Sequence, residues 1–195
     1  TMIHISAITI LEDYRTLKKG FFFDCSEVNL LVGDQGSGKS SLLALLRGNS
    51  GLLNLKLSKH CLENGVSTYY FDTEKDNPRI KDPQSYTKPT GENVGIGFGA
   101  GLMSRYQSHG EIIKSMVISP LKKAENCVVY LDEPESGLSL RNQYALAKEI
   151  HNAAKRNVQL FIATHSLILI QSVDTVVSLE HGKVMPSKEF IKLNQ

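Results

Sequence analysis

Val28-Asn29-Leu30-Leu31-Val32 runs straight into Gly33-Asp34-Gln35-Gly36-Ser37-Gly38-Lys39-Ser40, and Ser41-Leu42-Leu43-Ala44-Leu45-Leu46-Arg47 follows up to Gly48. The first run is short, apolar and bounded, as a buried strand is. The middle matches G-x-x-x-x-G-K followed by serine, the phosphate-binding loop, and the last run has the spacing of a helix. Strand, glycine loop and helix in that order aim successive backbone N–H groups and a helix N-terminus at one point, which favours a polyphosphate. Gly33, Asp34, Gln35, Gly36, Ser37, Gly38, Lys39, Ser40 and Ser41 are therefore the candidate nucleotide-binding residues. In such a loop the lysine reaches the β- and γ-phosphates and the serine after it ligates Mg²⁺, here Lys39 and Ser40.

Working outward, 195 residues make one domain with room for a small subdomain and a sizeable core. A net charge of +2 argues against a protein whose main work is coating nucleic acid. No apolar run approaches the roughly 20 residues that span a bilayer. The start, Thr1-Met2-Ile3-His4-Ile5, shows no signal-peptide pattern. Cys25, Cys61 and Cys127 are odd in number and in no metal spacing, so reduced thiols in a cytoplasmic protein are expected.

Residues 2–32 read as β-rich. Met2 to Ile10 alternates as a half-buried strand, Phe21-Phe22-Phe23 follows a polar stretch, and two or three antiparallel strands are expected before the loop. Tyr14 is either a stacking partner for an adenine base or a packed surface aromatic. From Gly48 to Gly65 the chain reads as irregular, and Ser67-Thr68-Tyr69-Tyr70-Phe71 as a strand. Residues 72–120 form an exposed loop and a following helix segment, with Pro78, Pro83 and Pro89 breaking any long helix early on. Within it Glu74 is a candidate contact for Mg²⁺ or the attacking water, or one solvated charge among many. The alternating glycines from Gly95 to Gly101 lack the strand and helix of a dinucleotide site and read as a flexible loop. Gln107-Ser108-His109-Gly110-Glu111 opens a helix pattern; Ser108 and Glu111 fit a capping box, and the same helix start can cap a phosphate. Pro120 ends that helix or follows its end.

Residues 121–185 hold the remaining chemistry. Cys127-Val128-Val129-Tyr130-Leu131 is a buried strand running into Asp132 and Glu133. An acid at a strand end beside a phosphate loop can hold the Mg²⁺ shell, which assigns Asp132. Its neighbour Glu133 points differently and can polarise water. Ser139 is placed to cap a long helix with Leu140, Tyr144, Ala147, Ile150 and Ala154 at helical steps. The next buried strand, Val158 to Ala163, ends at Thr164-His165-Ser166, where His165 can reach a γ-phosphate or the attacking water; a structural histidine is the plainer alternative. Val173 to Leu179 reads as a strand, and Gly182 as a turn into a short polar tail.

Phosphate loop, Q-S-H-G-E, L-D-E-P and T-H-S in that order resemble the ATP-binding-cassette (ABC) ATPase domains over residues 2–185. Within them the chain is most similar to compact soluble stand-alone "AAA family" ATPases, and more distantly to chromosome-maintenance and DNA-repair ATPases. The resemblance implies an α/β P-loop NTPase with a mixed sheet, flanking helices and an N-terminal antiparallel β subdomain. It implies ATP and Mg²⁺ as ligands, with Gly33, Gly38, Lys39 and Ser40 on the phosphates and metal, Asp132 supporting the metal, Glu133 as general base and His165 as γ-phosphate sensor. Ser108 and Gly110 act in trans in this family, so the resemblance implies an ATP-sandwich homodimer that drives or gates a protein partner. Departures are visible. Gln107, His109 and Glu111 differ from the transporter signature L-S-G-G-Q, Ser139 stands where an aspartate is usual, and Glu74 stands where transporters carry glutamine. A nucleotide-gated module that hydrolyses little and the ATPase subunit of a membrane transporter stay open as alternatives. DNA contact is left open too, through Lys75, Arg79, Lys81 and Lys88 or through a partner, in repair or in defence against foreign DNA.

Overall fold

A computed structural model of the chain describes residues 3–48, 51–72 and 114–194. Its frame is a six-stranded sheet in the order β5-β6-β7-β3-β8-β9. These strands are β3 (Val28–Val32), β5 (Ser67–Asp72), β6 (Cys127–Asp132), β7 (Val158–Ala163), β8 (Thr175–Ser178) and β9 (Lys183–Pro186). Every pairing is parallel except β8 with β9. A separate antiparallel sheet has the order β2-β1-β4, from β1 (Ile5–Ile10), β2 (Phe22–Asp24) and β4 (Leu53–Leu57).

The central sheet is a wall between two cores, and the period of two decides which residue faces which. Leu30, Val32, Val129, Leu131, Leu160 and Ile162 join one apolar cluster. Their alternating neighbours Leu31, Val128, Tyr130 and Phe161 join the other. The first cluster is closed by α4 (Leu140–Lys155), α5 (Leu167–Gln171) and α6 (Ser187–Leu193). The second is closed by α1 (Lys39–Gly48) and the antiparallel sheet. Leu42, Leu43, Leu45 and Leu46 of α1 are buried there, each worth about 1.5–3 kcal/mol of transfer free energy as an upper bound. That burial fixes the helix whose N-terminus carries Lys39.

Two buried amides join the layers. Gln159 of β7 accepts from the N–H of both His4 and Ile5 and donates to the carbonyls of Ile5 and Ser26. Asn29 of β3 donates to the carbonyls of Ser26 and Leu160. Each amide has its donors and acceptors matched, as burial requires.

The structure corrects four sequence expectations. The stretch read as irregular holds β4 and α2 (Lys59–Asn64), the latter capped by Ser58, whose Oγ accepts from the Cys61 N–H. Leu53, Leu55 and Leu57 alternate there and pair β4 with β1, so the third antiparallel strand comes after the phosphate loop and β3 belongs to the central sheet. Pro120 neither ends nor follows the helix. It sits inside a short helix, α3 (Ser119–Leu121), which continues a π-helical turn (Lys114–Ile118), and the helical segment stops one residue past it. On α4 the buried face is Leu146, Ala147, Ile150, Ala153 and Ala154, while Leu140 and Tyr144 are 70% and 64% exposed. Finally, the tail past Gly182 is not merely polar. It forms β9 and α6, with Met185 and Phe190 buried. Among the described residues no helix is long and apolar enough to cross a membrane.

Candidate functional site

The phosphate loop leaves β3 at Gly33, whose φ of 139° lies in the left-handed region. A Cβ there would meet Ser37 Oγ at 2.8 Å, so the residue must be glycine for the loop to close on itself. Gly38 is constrained from the other side: its φ is 103°, and a Cβ would meet Thr16 Oγ1 at 2.7 Å and Leu17 Cδ2 at 2.8 Å. Ser37 N–H donates to the Asp34 carbonyl at 3.1 Å, and Leu42 N–H to that of Gly38 at 2.8 Å, which starts α1. Ser37 Oγ is buried with no hydrogen-bond partner among the described residues.

Lys39 is only 5% exposed, and its Nζ donates to the carbonyls of Gly33 and Asp34, both at 2.9 Å. The ammonium is thus folded back inside the loop. Burial lowers its pKa, and Glu133, Asp132, Asp34 and Glu135 work against that shift. Around the loop, then, one buried cation faces a group of acids.

Those acids arrive on neighbouring strands. Ser40 Oγ donates to Asp132 Oδ1 at 3.0 Å, joining the start of α1 to the end of β6. A hydroxyl and a carboxylate in contact supply two hard oxygens, the partial set Mg²⁺ takes from protein when phosphate oxygens and water complete its shell. Together with the inward lysine and the glycine-lined loop, this donor set fits a magnesium–nucleotide. Glu133 has a φ of 47°, rare for a residue with a side chain, and its N–H donates to the Ala163 carbonyl at 2.9 Å. Its Oε1 lies 3.7 Å from His165 Nε2, and both side chains are nearly half exposed. The turn beyond is closed by Ser136 N–H to the Glu133 carbonyl at 3.0 Å.

Lys39, Ser40, Asp132, Glu133 and His165 are thus gathered at the carboxyl ends of β3, β6 and β7, the edge where open parallel sheets bind ligands. Asp34, Gln35 and Gly36 form the exposed tip of the loop. Ser41 is buried, and its Oγ accepts from Arg15 Nη1 at 3.4 Å. Tyr14 is half-buried against the second core, with the Arg15 guanidinium 5.4 Å from its ring centroid, as a packed aromatic is. Glu74, Ser108 and Gly110 lie outside the described residues, as do Gln107, His109, Glu111 and the basic residues Lys75, Arg79, Lys81 and Lys88.

Sequence reasoning missed two acids. Asp72 is buried and pairs in register with Asp132 across the parallel β5–β6 ladder. Residues in such register lie on the same face of the sheet, which puts Asp72 beside the metal candidate; reading the strand as ending at Phe71 hid this. Glu135, inside the turn after β6, looks like a solvated charge in sequence. In the fold it is buried and hydrogen-bonds the histidine turn.

Three comparisons bear on this arrangement. Residues 115–171 match a family model described as "AAA domain, putative AbiEii toxin, Type IV TA system". The chain is 26% identical over 211 residues to a putative ABC transporter ATP-binding protein of Methanosarcina acetivorans, covering 87% of this chain and 72% of that protein. It is 25% identical over 218 residues to the hemin import ATP-binding protein HmuV of Hahella chejuensis, covering 94% of this chain and 85% of the relative. Among solved structures, a bacterial Atm1-family ABC exporter with ATP bound matches with a TM-score of 0.60 at 15% identity, covering all of this chain and 41% of the exporter. A putative metal-chelate type ABC transporter in an inward-facing conformation also matches at 0.60, with 14% identity, covering 96% of this chain and 85% of that one. The solved structures establish the fold alone; the sequence matches reach the same family from a different direction, and both agree with the loop-and-acid geometry. The chain shares the fold of ABC transporter structures and is similar in sequence to ABC transporter ATP-binding proteins, which together support an ABC-type ATPase domain.

Proposed function

We propose that this chain hydrolyses ATP at the edge formed by β3, β6 and β7, in a cycle that pairs two copies across the nucleotide and so drives or gates a protein partner. The observation that carries the reading is the meeting of Ser40 and Asp132 at 3.0 Å, which joins the phosphate loop to the acid strand. The loop N–H groups and Lys39 bind the phosphates, and Ser40 and Asp132 hold the metal, with Asp72 beside them. Mg²⁺, when bound, supplies positive charge against the oxygens of the β- and γ-phosphates. Glu133 orients and deprotonates the attacking water, and His165 hydrogen-bonds the transferring group; their 3.7 Å separation supports this division of work. Lys39 stabilises the charge that develops on the phosphoryl oxygens. Ser108 and Gly110 complete the site from the second copy.

Replacing Glu133 by Gln tests the base. Turnover should fall by roughly 10²–10⁴-fold, while ATP binding survives and the ATP-bound pair of copies persists. Wild-type turnover in that variant would remove Glu133 from the role.

For the partner, the two kinds of comparison pull apart. The family model's description, naming a toxin–antitoxin system, supports an ATPase that acts on a companion protein; a setting in repair or in defence against foreign DNA is part of the same proposal. The relatives described as ATP-binding proteins of importers and transporters support the second reading, a subunit docked on a membrane permease. We place the companion-protein reading first, because Glu74 stands where transporters carry glutamine and the segment from Lys39 to Ser108 leaves little room for a permease-docking helical subdomain. Proteins retained by the Glu133→Gln variant in ATP decide between them: a permease supports the second reading, and a nuclease, toxin or DNA-bound protein the first.

A further inference from the structure

We propose that Glu135 is a positioning residue for hydrolysis, bracing His165 against Glu133; this rests on the roles assigned to those two residues above. Glu135 is 9% exposed. Its Oε1 accepts three hydrogen bonds, from Thr164 Oγ1 at 2.6 Å, His165 N–H at 2.8 Å and Ser166 N–H at 3.1 Å. The strand ladder stops just before these groups. Thr164 N–H still donates to the Leu31 carbonyl at 3.2 Å, but the next two amides have left the sheet, and α5 does not begin until Leu167. Ser166 N–H also donates to Thr164 Oγ1 at 2.9 Å, so one carboxylate oxygen, with the threonine hydroxyl it accepts from, ties the turn that presents the imidazole.

The same residue is tied to the other catalytic candidate. Glu135 lies two positions past Glu133 in a turn closed by Ser136 N–H to the Glu133 carbonyl and Leu138 N–H to the Glu135 carbonyl. A second link runs parallel to it: Ser166 Oγ donates to Gln143 Oε1 at 2.7 Å, and Gln143 Nε2 donates to the Leu138 carbonyl at 3.2 Å. The acid turn and the histidine turn are thus tied together by two routes, with the Glu133 and His165 side chains 3.7 Å apart.

A purely architectural clasp would be expected to satisfy its own atoms. Here Oε2 is buried with no hydrogen-bond partner among the described residues, and an orphaned buried carboxylate oxygen is costly. Two backbone amides could be capped by a serine or asparagine at lower cost. The reach of a glutamate and the strained backbone of Glu133 occur together at one corner, beside the two side chains that stand 3.7 Å apart.

The test is a double-mutant cycle on ATP hydrolysis, run under single-turnover conditions with enzyme in excess so that slow variants remain measurable. Glu135→Ala should lower the hydrolysis rate by about 10–100-fold with the ATP concentration dependence shifted less than about threefold, and the double variant with His165→Ala should be no slower than His165→Ala alone. Losses that multiply in the double variant, or a Glu135→Ala protein as fast as wild type, overturn the proposal. Thermal unfolding checks that Glu135→Ala is folded; if it is not, Glu135→Gln, which keeps one acceptor oxygen, takes its place and should show a smaller loss that again vanishes in the His165→Ala background. Unchanged turnover in His165→Ala itself is a different failure. It removes the sensor role, and this proposal falls with it.

Discussion

The phosphate loop and the acid–histidine corner face the same space and are built in opposite ways. The loop is mostly local: its glycine dihedrals, the Ser37–Asp34 turn and the Lys39 contacts lie within a few residues of one another, and Gly38 alone of its glycines is pressed by the segment at Thr16 and Leu17. The corner is assembled over distance. Parallel register sets Asp132 opposite Ala163, Glu133 N–H closes on the Ala163 carbonyl, and Glu135 reaches from the end of β6 to the turn after β7. The loop is set by backbone conformation, whereas the corner depends on side chains that meet only if the sheet is in register. A substitution in the loop should therefore act on its own segment, and one in the corner on the geometry between segments.

Among substitutions in the loop, Lys39→Ala should give the largest effect. It removes the cation buried within the loop, and turnover should drop by about 10²–10³-fold, with weaker ATP binding measured by calorimetry. Equal ATP affinity in that variant would separate the loop from the nucleotide. Gly38→Ala tests the loop backbone. Its φ of 103° and a Cβ within 3.0 Å of both Thr16 and Leu17 predict a strain of about 1–3 kcal/mol, which lowers the melting temperature by about 2–12 °C. Gly36→Ala, with nothing within 4 Å of its Cβ at a φ of 83°, should lower it less. Equal shifts would mean that the loop's contacts with Thr16 and Leu17 do not matter.

The smallest expected effect lies away from both regions. Burial pushes the Cys25 thiol up to about 12 and raises those of Cys61 and Cys127. Native protein at pH 8 should therefore hold all three as thiols and react slowly with a thiol reagent, and all three should react promptly once the chain is unfolded. Fast labelling of Cys25 in native protein would show that the second core, which houses it, opens more readily than the packing implies.

How much of this was legible in the sequence follows the same division. The loop was readable because its chemistry is contiguous, and β6 and β7 because their apolar runs are buried on both faces. Asp132, Glu133 and His165 were found at strand ends, where a buried run meets polar residues. β4 was passed over although Leu53, Leu55 and Leu57 alternate, since so short a strand without β-branched residues is easily taken for loop. The exposure of Leu140 and Tyr144 was hidden for a different reason: periodicity marks an apolar stripe along α4, not the point where the sheet stops covering it. Asp72 and Glu135 are acids among many in sequence, and only the β5–β6 register and the fold of the turn after β6 bring them to the site.

The central claim is that the loop and the acid strand form one magnesium–nucleotide site through Ser40 and Asp132. Phosphate release measured across a Mg²⁺ titration, for wild type and for Asp132→Asn, tests it most directly. The account predicts turnover in wild type that rises with Mg²⁺ and saturates, and in Asp132→Asn a rate about 10²-fold lower or below at saturating Mg²⁺. An Asp132→Asn protein that keeps both the wild-type rate and the wild-type Mg²⁺ dependence would contradict it.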